Sequence, residues 1–253
     1  MTFALENHNM KIEKYRNTKW FDWIVNASSW AIGGSLIKEK TELLYWQLKK
    51  WREGTFNNDH YEPFYTTYFN LDTDFYTAKK IMDIGCGPRG SLEWATMAAE
   101  CIGLDPLSDD YLKMGADKHR MKYINSGSEA IPFEDNYFDV VTSFNSLDHV
   151  DDLNQSIVEL TRVLKPNGLF LFIADIHEKP TITEPSAFSW DIMEKFKQDF
   201  IILDENHYEG HQLYTSIRNG IPFDHSNIEK RYGVLTAKLQ LRESRNTNSK
   251  LRV

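Results

Sequence analysis

Residues 79–90 have the sequence KKIMDIGCGPRG, a short apolar run followed at once by a glycine-rich turn. The run predicts a β-strand, and Gly85, Gly87 and Gly90 have the spacing G-x-G-x-x-G. Glycine lets a backbone turn tightly and approach a ligand closely. The amides at the start of a following helix attract anionic groups. The segment therefore predicts a nucleotide-like cofactor bound at the end of a first strand.

Downstream of this turn, short apolar runs alternate with helical stretches. Further strands are predicted at 101–105, 121–125, 138–144, 168–175, 199–206 and 231–240, and helices at 91–100, 153–164 and 189–197. The alternation is typical of βαβ units that build a parallel sheet. We therefore expect an α/β protein.

Asp105 lies 105 − 85 = 20 residues after Gly85, at the end of the second predicted strand. An acid in this place accepts hydrogen bonds from ribose hydroxyls. The spacing does not separate a dinucleotide from any other adenosine-containing cofactor. A nicotinamide (NAD-type) oxidoreductase and an ordinary glycine turn remain alternatives at this point.

Composition excludes several classes of protein. Lys and Arg number 29 against 37 Asp and Glu, a net charge of −8, which argues against nucleic acid as a partner. Cys86 and Cys101 are too few for a disulfide framework, and no apolar stretch has the length of a signal peptide or a membrane span. We expect a cytoplasmic protein with no membrane partner; its oligomeric state is unknown at this stage.

Four segments together resemble the class I S-adenosylmethionine-dependent methyltransferases. DIGCGP at 83–88 resembles the family's motif I, and GLDP at 103–106 its acidic second-strand motif. IPFEDNYFDVV at 131–141 resembles the segment leading into strand four, and LKPNG at 164–168 the turn before strand five. They occur in the family's order and spacing, whereas an oxidoreductase accounts for only the first two.

The resemblance implies an α/β fold with a Rossmann-like, doubly wound, seven-stranded sheet, and S-adenosylmethionine as cofactor. The positions that it makes cofactor-binding are Asp83, Gly85, Cys86, Gly87, Asp105, Pro106, Gly127, Ser128 and Asn145. Two features depart from the family pattern. Arg89 stands where the third glycine of motif I is expected, and no aspartate ends strand three, so adenine recognition falls to the Ser128 hydroxyl or to backbone groups.

The segment after strand four supplies candidate catalytic residues. An imidazole can take up a proton and Asp148 could orient that of His149, which makes the pair a candidate base for deprotonating an acceptor. The alternative is that His149 packs against the cofactor or caps the next helix. His177, after strand five, is a second candidate for catalysis and for acceptor binding. No second carboxylate cluster accompanies Asp148 and its acidic neighbours, so we predict no metal.

Half of the aromatic residues, 17 of 34, lie in the first 78 residues. We predict three regions: an N-terminal helical, aromatic-rich lid for substrate recognition (1–78), the methyltransferase catalytic domain (79–242) and a frayed polar tail (243–253). Tyr61, Tyr65 and Tyr68 are candidate walls of an acceptor pocket, the alternative being that the aromatics pack onto the sheet.

The predicted activity is methyl transfer from S-adenosylmethionine to oxygen of a small metabolite, natural product or peptide, including a carboxylate. N-methylation, a nicotinamide oxidoreductase and a cofactor-binding module without catalysis are the alternatives.

Overall fold

The computed structural model describes residues 34–177, 187–210, 212–227 and 232–243. The predicted regions 1–78 and 243–253 therefore lie partly outside the described residues. The proline-containing segment 176–185, for which the sequence predicts an irregular insertion, also lies partly outside them. The chain divides into two compact units, 1–48 and 49–253. The sheet and the glycine-rich turn belong to the second unit.

One seven-stranded sheet organises the second unit, with strand order β3-β2-β1-β4-β5-β7-β6. The strands are β1 (Lys80–Ile84), β2 (Glu100–Leu104), β3 (Lys122–Ile124), β4 (Phe138–Phe144), β5 (Leu164–Ile176), β6 (Phe200–Glu209) and β7 (Gly233–Leu241). The first five strands are parallel, and β7 runs antiparallel to both β5 and β6. The predicted seven-stranded α/β fold is confirmed.

The predicted turn before strand five lies inside β5. Pairing of β5 with β4 begins at Leu164 and resumes at Leu169, with a register shift between them. Asn167 in this interval has a left-handed backbone, φ 61°. The segment Pro166–Gly168 therefore forms an irregularity within the strand.

Five α-helices lie in the described residues: α1 (Gly34–Glu53), α2 (Glu62–Tyr65), α3 (Ser108–Lys113), α4 (Leu153–Val163) and α5 (Leu213–Asn219). The predicted helix 153–164 corresponds to α4, and α1 lies within the predicted helical region 1–78. The patterns did not predict α2, α3 or α5. The helix predicted at 189–197 is a 3₁₀ helix, Trp190–Lys195. Asp152 caps α4, because its side chain accepts a hydrogen bond from the amide of Gln155. None of the described helices is both long and apolar enough to span a bilayer.

The prediction of a helix at 91–100 is wrong. Residues 91–99 form turns that connect β1 to β2. Leu92 and Ala95 are buried in this turn segment and belong to the core on one face of the sheet. Tertiary packing overrides a helix-forming composition here.

The two faces of the sheet pack against different partners. On one face, Met82 and Val141 lie in the same core cluster as Leu160 of α4. On the other face, Ile81 and Val140 share a cluster with the aromatic segment 61–76. This alternation follows from the opposite directions of successive strand side chains. Much of the aromatic segment is therefore core.

Candidate cofactor and acceptor site

The glycine-rich turn after β1 lies against the turn after β4. Gly85 has φ +69°, and a Cβ placed on it would lie 2.2 Å from the Cβ of Ser146. The Ser146 hydroxyl donates a hydrogen bond to the carbonyl oxygen of Ile84 at 2.7 Å. It also lies 2.6 Å from the hydroxyl oxygen of Ser143. Only glycine fits position 85, because both the backbone conformation and the close approach exclude a side chain.

Asp83, the last acid of β1, is the centre of a buried hydrogen-bond cluster. One carboxylate oxygen accepts from Tyr65 at 2.9 Å and from Ser91 at 2.5 Å, and the other accepts from Thr142 at 2.6 Å. Burial raises the pKa of Asp83, while hydrogen bonds from Ser91, Thr142 and Tyr65 oppose that rise. This carboxylate ties the aromatic segment, the glycine turn and β4 together.

Asp105 anchors the other side of the glycine turn. It lies just beyond β2, is 4% exposed, and accepts hydrogen bonds from the amides of Gly87 at 3.2 Å and Leu107 at 2.9 Å. An ionised carboxylate accepts up to about four hydrogen bonds. The two amide bonds are therefore compatible with additional bonds from vicinal hydroxyls.

The positions predicted to surround adenine lie in different environments. Pro106 is exposed and Gly127 is half-buried, whereas Cys86 is buried. The Ser128 hydroxyl is 2.8 Å from that of Ser156 in α4. Ser128 thus links the end of β3 to this helix, and its adenine contact stays a prediction.

The ends of β4 and β5 are joined through Asn145. Its backbone is left-handed, φ 55°, and its amide donates to the carbonyl of Ile173 at 2.8 Å. Its side-chain oxygen accepts from the amide of Asp175 at 3.2 Å. Asn145 therefore lies at the carboxyl edge of the sheet, where open α/β sheets bind ligands.

The candidate catalytic residues follow these same two strands. His149 Nε2 lies 3.7 Å from Asp148 Oδ1, and the side chain of Asp148 is only 1% exposed while that of His149 is 26% exposed. His177 is buried, and its amide donates to the carbonyl of Phe188 at 3.1 Å. The predicted pairing of Asp148 with His149 is geometrically available, but the catalytic roles stay predictions.

The three candidate tyrosines have different surroundings. Tyr65 is 1% exposed, and its hydroxyl donates a hydrogen bond to the carboxylate of Asp83. Tyr61 lies 6.5 Å from Tyr65 and 6.0 Å from Tyr214, ring centre to ring centre. Tyr68 stacks on Phe64 at 4.9 Å. Tyr65 is a structural partner of the cofactor turn, and the acceptor role of all three stays a prediction.

His60 adds an imidazole that the sequence patterns did not single out. Its ring lies 4.2 Å from that of Tyr61 and 5.9 Å from that of Tyr214. Burial, and then the charges of Arg89, Arg218 and Lys49, lower the pKa of His60, against the opposing effect of Asp59. No local sequence signal separates this histidine from the seven others in the chain.

Arg89, the departure from motif I, pairs with Glu53 near the end of α1. The two groups are 2.7 Å apart, and the Arg89 side chain is 8% exposed. The replacement of an expected glycine was the only sequence signal for this residue, and it did not indicate the partner.

A cavity of about 310 Å³ opens at the opposite, amino edge of the sheet, with Lys79, Asp139 and Lys165 among its lining residues. The strands separate it from the glycine turn, so it is not the cofactor site. Within the described ranges, no group of three or more His, Cys, Asp or Glu side chains is arranged to hold a metal ion.

Comparison with known proteins finds a family match for part of the chain. Residues 82–172 match the family described as "Methyltransferase domain". Tocopherol O-methyltransferase of Arabidopsis thaliana is 30% identical over 49% of this chain and 38% of its own length. Ubiquinone/menaquinone biosynthesis C-methyltransferase UbiE of Serratia proteamaculans is 32% identical over 55% of this chain and 59% of its own. The chain thus spans between about two fifths and three fifths of these two relatives.

Solved structures show the same fold at low identity. YcgJ of Bacillus subtilis superposes with a TM-score of 0.50 at 20% identity, covering 70% of this chain and 99% of that one. The [4+2]-cyclase SpnF superposes with a TM-score of 0.51 at 17% identity, covering 68% of this chain and 80% of that one. The fold is therefore shared with a cyclase, so likeness of fold alone does not define a reaction.

The order of the strands and the glycine turn agree with the match over residues 82–172, which resemble the class I S-adenosylmethionine-dependent methyltransferase family. The cofactor of the family is S-adenosylmethionine. The residues present fit it: position 85 admits no side chain, and Asp105 is held by backbone amides at the end of β2.

Proposed function

We propose that this protein transfers a methyl group from S-adenosylmethionine to an oxygen atom of a small metabolite, natural product or peptide, including a carboxylate. The observation that carries the proposal is the juxtaposition of the glycine turn, Asp83 and Asp105 at the carboxyl edge of the sheet. The match of residues 82–172 to a methyltransferase domain supports the reaction class. The fold alone does not define it, because a [4+2]-cyclase has the same fold.

Bound S-adenosylmethionine supplies an electrophilic methyl group. Asp105 would accept hydrogen bonds from the ribose hydroxyls, and the turn from Gly85 to Gly87 would let the backbone approach the cofactor closely. Most of the rate acceleration can then come from orientation and exclusion of water. The aromatic segment, packed onto the sheet next to Asp83, provides an apolar wall for this purpose.

His149 is the residue that we propose acts on the methyl acceptor. It is partly exposed just beyond β4, and its Nε2 lies 3.7 Å from Oδ1 of the neighbouring Asp148. A hydroxyl acceptor needs its proton removed, and His149 would hold that proton; an ionised carboxylate needs no base. His177, beyond the neighbouring strand β5, is the second candidate for contact with the acceptor.

Methylation of a ring carbon is the second candidate. It is supported by the activities of the relatives: UbiE is a C-methyltransferase, whereas the Arabidopsis relative is an O-methyltransferase. The acceptor atom differs between relatives that match to a similar extent, so oxygen is our proposal for this chain and carbon the alternative.

The experiment is incubation of the purified protein with methyl-labelled S-adenosylmethionine and fractionated small-molecule extract. We expect one labelled product whose methyl carbon has the NMR shift of an O-methyl group, and a turnover that falls at least about tenfold in His149→Ala. His225→Ala, which removes an exposed imidazole beyond β6, is the matched control.

Turnover of His149→Ala within twofold of the unaltered protein would remove the proposed role of His149. A product labelled at carbon would replace the O-methyl proposal. Cofactor binding without transfer to any acceptor would favour a binding module.

A further inference from the structure

We propose that Arg89 and Glu53 form a positioning pair that couples the end of α1 to the cofactor turn, so that affinity for S-adenosylmethionine depends on a residue outside the turn. The inference rests on the proposed role of the glycine turn in cofactor binding. It assigns a function to Arg89, the position at which this chain departs from the motif I pattern that it resembles.

The contacts of Arg89 are dense. Nη2 donates to both carboxylate oxygens of Glu53, at 2.8 and 2.7 Å, and Nη1 donates to the carbonyl of Asn57 at 3.0 Å. The guanidinium carbon lies 5.1 Å from the ring centre of Phe56. A single side chain thus holds three positions of the segment 53–57.

Burial makes Arg89 depend on its pairing with Glu53. The side chain of Arg89 is 8% exposed and that of Glu53 is 30% exposed. A guanidinium remains charged at any pH at which proteins fold, and a buried charge is tolerated only when it is paired and hydrogen-bonded. Removal of Glu53 would therefore force Arg89 to move toward solvent or another acceptor.

Movement of Arg89 has to be transmitted to the cofactor turn. Arg89 lies between Gly87 and Gly90, which hold left-handed φ values of 57° and 75°. The Gly87 amide bonds Asp105, and the Gly90 amide bonds the Tyr123 hydroxyl at 3.1 Å. Glu53 on one side and Asp105 on the other thus act on the same four-residue turn.

Such coupling is reciprocal. If the pair fixes the turn in its binding conformation, cofactor binding must in turn stabilise the segment 49–60. Loss of the pair weakens cofactor binding, because binding must then also order the turn, and the free-energy cost of that ordering reduces the affinity.

The test is calorimetric titration of the full chain with S-adenosylhomocysteine. In Glu53→Gln and in Arg89→Lys we expect Kd to rise at least about tenfold, which corresponds to about 1.4 kcal/mol. The matched control is Glu100→Gln. It removes the carboxylate that pairs with Lys122 at 2.7 Å at the start of β2, away from the turn.

Amide hydrogen exchange provides a readout that a merely structural role would not move. We expect S-adenosylhomocysteine to slow exchange in residues 49–60 of the unaltered protein, and this protection to be lost in Glu53→Gln. Melting temperatures without ligand show whether each variant is folded. In a destabilised variant, slower exchange of the turn 85–90 with ligand shows that the ligand is still bound, so that protection of residues 49–60 can be compared between proteins.

A Kd for Glu53→Gln within twofold of the unaltered value, or no ligand-dependent protection at 49–60, would overturn the inference while leaving the proposed function intact. Failure of the unaltered protein to bind S-adenosylhomocysteine would instead remove the proposed function, and the coupling with it.

Discussion

Asp83 shows how one side chain can organise a site. Its carboxylate accepts hydrogen bonds from Tyr65, Ser91 and Thr142, which belong to α2, the β1–β2 connection and β4. Each donor comes from a different part of the chain, so the cluster forms only when all of them have folded. Because hydrogen bonds to a charged group are stronger than neutral ones, each contributes to holding these elements together.

Tyr65→Phe should destabilise the protein by about 1.5–3 kcal/mol, since it removes one donor from a buried carboxylate and leaves the ring in place. The free energy of unfolding in urea is the measurement. Tyr68→Phe, which changes a half-buried tyrosine on the same segment, should have a smaller effect. Equal losses of unfolding free energy in the two variants would show that the hydrogen bond from Tyr65 to Asp83 does not cause the destabilisation.

Two histidines should make stability depend on pH. Burial lowers the pKa of His60, with further lowering by Arg89, Arg218 and Lys49, and burial also lowers the pKa of His119. Each imidazole therefore binds a proton more weakly in the folded than in the unfolded chain. As pH falls through the unfolded value of 6.5, the unfolded state takes up more protons and stability decreases.

Urea unfolding at about pH 7.5 and about pH 5.5 tests this expectation. The loss of stability between the two should be smaller in His60→Gln and in His119→Gln than in the unaltered protein. The raised pKa of Asp83 acts in the opposite direction, because stability from its protonation appears as pH falls, but it is common to all three proteins and cancels in the comparison. If neither substitution changes the dependence of the unfolding free energy on pH, His60 and His119 are not its cause.

The turns after β1 and β4 act as a single unit. Gly85 and Ser146 approach so closely that each turn limits the conformation of the other. The motif predicted the first turn from its glycines, but no sequence feature indicated that the second turn would press against it. Contact between two loops is decided by the parallel order of the strands that precede them.

Gly85→Ala should therefore be more damaging than substitution of an unconstrained glycine. Gly220→Ala is the matched control, because Gly220 has a similar φ of +62° and nothing within 4 Å of an added Cβ. Left-handed strain is common to both, so the additional loss in Gly85→Ala, about 1–3 kcal/mol, measures the clash with Ser146. Urea unfolding gives the comparison, and equal losses would rule the clash out.

At the scale of the whole molecule, the aromatic segment belongs to the folded core. Phe64, Phe69 and Tyr76 are at most 1% exposed, and they share a cluster with strand residues of the sheet. Changes at the cofactor turn and changes in this segment should therefore affect one cooperative unit.

Ligand binding should stabilise that unit as a whole. At a concentration one hundred times its Kd, S-adenosylhomocysteine should raise the free energy of unfolding by about 2.7 kcal/mol, provided that it binds only the folded chain. Thermal unfolding with and without ligand is the measurement, with NADH as the control. Stabilisation by NADH instead would revive the oxidoreductase alternative.

Local and periodic features carried most of what could be predicted. The alternation of strands and helices, the glycine turn and Asp105 depend on short stretches of chain, and the α/β sheet followed from them. The turns at 91–99, the Asp83 cluster, the pairing of Arg89 with Glu53 and the place of His60 depend on residues that are distant in sequence. The sequence by itself thus determined the sheet and its cofactor turn, because backbone preference and periodicity act locally. Only the tertiary structure decided which side chains surround that turn, because burial and pairing become defined when separate elements meet.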